Sequence, residues 1–142
     1  MNTTQDLITR EVTPADILKI AKQYVAVYGW HQGGMFADAS EPLPPACAVG
    51  AIRIAILAGT RPFPDEAHAD GRSDLFANTV DVLAKYLINS GWVDRFGALL
   101  DGDPYEVVAD WNDDSNRNVA QVLAALNGAA QDWDRIHTGG AR

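Results

Sequence analysis

Residues 46–59 read Ala-Cys-Ala-Val-Gly-Ala-Ile-Arg-Ile-Ala-Ile-Leu-Ala-Gly, or ACAVGAIRIAILAG, and the reading of this stretch decides the fold. Pro44-Pro45 leads into it and Gly59 closes it. Positions 47, 51, 54 and 58 form one apolar face at helical spacing, and 48, 52, 55 and 56 form another. Apart from Arg53 the segment is apolar all round. It therefore predicts a central, buried helix from about Ala46 to Ala58. Ala46, Ala48, Gly50, Ala51 and Ala55 are small enough to let neighbouring helices approach closely. At 14 residues with an internal arginine, it falls short of the roughly 18 apolar residues a membrane span needs.

Outward from this segment, amphipathic stretches lie on both sides. Thr13-Pro14 is a good helix start, a capping residue followed by a first-turn proline. Ile17, Ile20, Ala21, Tyr24 and Tyr28 then recur at helical spacing until Gly29. Ser73 is the expected cap of a third helix reaching Asn89, with Leu75, Phe76, Thr79, Val80, Leu83, Tyr86 and Leu87 as its stripe. Residues 92–100, WVDRFGALL, read as a turn or half-helix. Asp103-Pro104 starts a brief helix to about Trp111. The last helix has the clearest periodicity, at Val119, Val122, Leu123, Leu126, Ala130 and Trp133. No alternating apolar pattern bounded by turn residues competes. The expectation is an all-α fold: a compact single-domain bundle of four to five helices around a central apolar helix. It spans 13–136, with a flexible N-terminal segment 1–12 and a flexible tail 137–142.

Composition narrows function mainly by exclusion. The chain has 142 residues, the usual size of one domain, and a net charge of −8. Nucleic acid is not an expected partner, because phosphate binding needs a concentrated basic face. The same charge disfavours anionic membrane surfaces. The opening residues MNTTQDLITREV lack a basic region followed by an apolar one. Cys47 is the only cysteine, which suits a reducing compartment. These features predict a cytoplasmic protein.

Three short motifs occur in order: Gly29-Trp30 at a helix end, Cys47-Ala-Val-Gly50-Ala51, and Trp111-Asn112-Asp113 before the last amphipathic helix. In this the chain resembles a family of small actinobacterial and actinophage proteins classed as a domain of unknown function. The resemblance runs over about residues 14–132. It implies a single domain and brings no activity, cofactor or catalytic residue.

Several constellations invite chemistry. In DWNDDSNRN, Asp110, Asn112, Asp114, Asn116 and Asn118 stand at the alternate positions of a calcium loop. Ser115 replaces the glycine such a loop needs, and Gln121 replaces its closing glutamate. The simpler expectation is that Asp113, Asp114 or Ser115 caps the last helix. Asp101-Gly102-Asp103-Pro104 likewise reads as a cap before it reads as a magnesium site. Cys47 in a first helical turn could pair with His31 as thiolate and imidazolium, although a lone cysteine on an apolar face is more often a small buried hydrophobe. His68 and His137 have no helical partner for zinc. No catalytic set, metal site or cofactor is assigned. Arg53 must reach water, pair with a carboxylate, or face a ligand.

Loops 31–44 and 59–72 are long enough to suggest function. They carry Trp30, His31, Met35 and Phe36 on one side and Phe63 on the other, a composition suited to recognition or to closing the bundle's ends. The reading this favours is a non-enzymatic helical binding or regulatory module acting through protein contacts, with a protein partner or a homodimer. Its binding residues are expected among Trp30, His31, Phe36, Arg53, Phe63, Trp111, Asn112 and Asp113. The alternative is a small-molecule binder or small enzyme with an inter-helix pocket around Arg53.

Overall fold

The computed structural model describes residues 12–38, 40–59 and 67–138. Its regular structure there is helical: α1 (Pro14–Tyr28), α2 (Ala48–Gly59), α3 (Ala67–Asn89), α4 (Arg95–Asp101), α5 (Pro104–Asp113) and α6 (Val119–Thr138). The expected all-α bundle is there, with six helices among the described residues. The count rises above the expected four to five because residues 95–101 close as a helix of their own. The Asp94 side chain accepts the Gly97 amide proton at its start, and Gly102 adopts the left-handed conformation at its end.

Local chemistry accounts for the other boundaries. Thr13 and Asp16 form a reciprocal capping box at the start of α1, with Pro14 in the first turn. α2 starts two residues later than its apolar pattern, because the backbone of Ala46 is already committed. Its N–H donates to the Gly29 carbonyl and its carbonyl accepts from the His31 N–H, both at 3.1 Å. α3 starts at Ala67, six residues before the expected cap at Ser73. A glycine inside a helix costs about 1 kcal/mol, so Gly71 does not halt this one. Asp103 caps α5 as expected. The cap of α6 is Asn118 rather than Asp113, Asp114 or Ser115. The Gln121 amide donates to Asn118 Oδ1, and the Asn118 amide donates to Gln121 Oε1, at 2.9 and 3.0 Å.

The core is contiguous. α1 packs most extensively, against α2 and α6, and α3 meets α5, α6 and α2. α1 buries Ile17, Leu18, Ala21, Tyr24 and Val25, while α6 buries Val122, Ala125, Leu126, Ala129 and Ala130. α2 contributes Val49, Ala51, Ile52, Ala55 and Ile56, so its small residues bring α1 close, as their size predicts. Its outer side is open, with Arg53, Leu57 and Ala58 exposed. The centre is thus shared by α1 and α2. Helix α6 runs on to Thr138, past the expected tail boundary, with His137 stacked on Trp133.

Candidate functional site

Asn112 is wholly buried at the end of α5, and it ties three segments together. Its Oδ1 accepts from the Trp30 indole N–H at 2.8 Å and from the Ala48 amide at 3.0 Å. Its Nδ2 donates to the His31 carbonyl and to Asp113 Oδ1, each at 3.0 Å. The first amides of a helix have no partner within it. Ala48 finds one on Asn112, 64 residues away in sequence, so Asn112 caps α2 from outside. Asp113 Oδ1 also accepts the Gly33 amide, and Gln32 Nε2 donates to the carbonyls of Asn112 and Asp114. Residues 30–33 are thereby clasped to the end of α5.

The same clasp fixes the stretch beyond. The Cys47 amide donates to the Met35 carbonyl, and Ala37 to that of Pro45. Met35 and Phe36 lie directly on Gly50. A Cβ there would stand 2.5 Å from the Met35 carbonyl oxygen and 3.1 Å from Phe36 Cε1. Hence Trp30 and Phe36 are half-buried and packed on the core, so the first loop folds back to close the bundle rather than displaying them.

Trp111 joins a second cluster. Its ring meets Trp92 edge-on, with centroids 5.8 Å apart. The Arg117 guanidinium lies 4.4 Å from the Trp111 ring centre, and Arg117 Nε donates to the Trp111 carbonyl. The buried Trp111 indole N–H has no acceptor among the described residues.

Arg53 stands apart. Five residues beyond Ala48, it is rotated about 140° round the helix and stands about 7.5 Å further along it. It is exposed, so it reaches water directly, which is the simplest of the three options for a cation on this helix. Trp30, His31 and Asn112 are brought together; Arg53 does not join them, and Trp111 turns to Trp92 and Arg117. Phe63 lies outside the described residues. The alternating positions 110–118 do not converge on a common point, because Asn112 is turned inward and Asn118 caps α6.

Cys47 is not set up as a nucleophile. It is buried, its sulfur accepts the Gly50 amide at 3.3 Å, and burial raises the thiol pKa. A disulfide reagent should modify it only at the rate of unfolding, which absorbance of the released thiolate measures. A raised native pKa means the folded state holds its proton longer than the unfolded one. Stability should therefore fall as pH climbs from the ordinary thiol range toward the native value. Fast labelling of the native protein would contradict this placement.

Among the described residues, the largest group of exposed apolar side chains on one helix lies elsewhere and was not expected. On α4, Phe96, Leu99 and Leu100 are 67%, 74% and 73% exposed. Beside them α3, α4 and α5 enclose a groove of about 480 Å³, with Ala84, Ile88, Ala98, Leu99, Pro104 and Val107 as its apolar wall. Asp81, Lys85, Arg95 and Asp103 stand round it. WVDRFGALL is too short to show a period, and its apolar residues pass for core. Only the placement of α4 outside α3 and α5 reveals them.

Comparison with known proteins adds family membership. The model of a family of unknown function (DUF6197) matches residues 9–132, so the chain belongs to that family. The match spans all three motifs. No curated protein and no solved structure matches the chain.

Proposed function

For a member of a family without an assigned activity, we propose a helical binding module that acts through protein contacts, without catalysis of its own, in the cytoplasm. The supporting observation is the exposed trio Phe96, Leu99 and Leu100 beside the groove. Three large apolar side chains open to water on one seven-residue helix are the kind of exposure that contact with a partner would cover. The buried thiol fits a reducing compartment. Among the described residues no helix is long and apolar enough to cross a membrane.

A photo-crosslinking amino acid placed at Phe96 tests this in the cells that make the protein. Val27, on α1 and 71% exposed, serves as control position. The reading expects a distinct crosslinked protein at 96 that is absent at 27. Identical products at both positions, or none at either, would contradict it.

A further inference from the structure

The charge around the α4 groove says what kind of protein it suits. Residues 94–106 hold Asp94, Asp101, Asp103 and Glu106 against Arg95 alone, a net of −3. This segment comprises α4, the first turn of α5 and their caps, and so it borders the exposed trio. Of the two cations of the groove, Lys85 is paired with a carboxylate, whereas Arg95 hydrogen-bonds a neutral amide and keeps its charge. Lys85 Nζ pairs with Asp81 at 2.9 Å, and Arg95 Nη2 donates to Asn89 Oδ1 at 3.3 Å. Asp94, Asp103 and Glu106 are exposed; Asp103 lines the groove, and Asp94 and Glu106 adjoin its lining residues Arg95 and Val107.

We propose that this groove, with the exposed Leu100 beside it, docks a basic amphipathic helix of another protein, its apolar face on Ala98, Leu99 and Leu100 and its Lys or Arg residues toward the carboxylates of residues 94–106. This rests on the protein-contact reading above and names the partner's chemistry. A helix fits because the wall is apolar, lies between helices, and offers no open strand edge for an extended peptide among the described residues. A basic partner fits because opposite charge speeds encounter and fixes orientation. A second copy of this chain would set one −3 segment against another, which like-charge repulsion disfavours.

The test uses a fluorescent synthetic helix of about 18 residues, with leucines at i, i+3, i+4 and i+7 and lysines elsewhere. Fluorescence anisotropy reads its binding to the full chain. Controls are the same composition with scrambled leucines, and the same pattern with glutamate for lysine. The expected result is binding at least about tenfold tighter than either control, weakened as salt rises from roughly 50 to roughly 200 mM. The triple variant Asp94→Asn, Asp103→Asn, Glu106→Gln keeps both capping oxygens and should lose about tenfold. Leu99→Ser with Leu100→Ser should lose at least as much, and both variants should keep native circular dichroism. Equal binding of lysine and glutamate helices, still lost in the leucine variant, overturns the basic preference while leaving an apolar docking face. Binding indifferent to both variants, or equal for scrambled and patterned peptides, overturns the docking site itself. Concentration-dependent dimerisation abolished by Leu99→Ser with Leu100→Ser also overturns the proposal, in favour of a second copy.

Discussion

Replacing Asn112 by alanine is expected to remove about 4 kcal/mol of stability, a large share of the 5–15 kcal/mol that holds a domain of this size together. Three groups lose their partner at once: the Trp30 indole N–H, the Ala48 amide and the His31 carbonyl. Leaving a buried polar group unpaired costs about 1–3 kcal/mol, more than the hydrogen bond itself contributes. The Ala48 amide suffers most, because Ala48 is wholly buried at the start of α2. Urea unfolding checks this as a lower midpoint at unchanged slope. Asp113→Asn, at the exposed neighbour, should cost less than about 1 kcal/mol, since an amide oxygen can still accept from Gly33. A loss below about 1 kcal/mol for Asn112→Ala would show that the clasp carries little of the stability.

Gly50→Ala is expected to cost about 3 kcal/mol, at the upper end for overpacking. Elsewhere in a helix this change stabilises, because glycine is the weaker helix former by about 1 kcal/mol. At Gly50 the new methyl meets the Met35 carbonyl oxygen, a backbone atom held by the Cys47 amide, and neither can retreat without opening residues 30–37. Gly97 in α4 is the matched control. Its nearest neighbour to a new Cβ is a side-chain atom of Asp94 at 3.8 Å, ordinary contact. Gly97→Ala should therefore raise the thermal midpoint while Gly50→Ala lowers it. The same sign for both would mean that loop 31–44 is not seated on α2.

Much of the fold was legible because its signals are local. The capping box at Thr13, the proline starts of α1 and α5, and the stripe of α6 each depend on residues within a turn or two. What could not be read depends on meetings far apart in sequence. The roles of Trp30, His31, Asn112 and Asp113 are of this kind. Their chemistry suggested a binding surface, and the structure spends it on joining residues 30–33 to α5 and α2. Arg53 was misleading for the converse reason. A charge on an apolar helix signals burial only if every face is covered, and the outer face of α2 is open. The trio on α4 was invisible because exposure of an apolar side chain depends on what is absent beside it.

These placements separate two jobs along the chain. Gly29-Trp30, Cys47 to Ala51 and Trp111-Asn112-Asp113 hold the architecture. The surface we propose for a partner lies on α4, at residues outside those motifs. The division depends on Asn112 closing the N-terminus of α2 from 64 residues away, and amide hydrogen exchange reads that closure directly. A first-turn amide ordinarily exchanges freely, since nothing in its own helix bonds it. The Ala48 amide and the Trp30 indole proton should instead exchange only through near-global unfolding. Exchange of Ala48 at the rate of an open first-turn amide, in a protein otherwise protected, would contradict the clasp and the division of labour built on it.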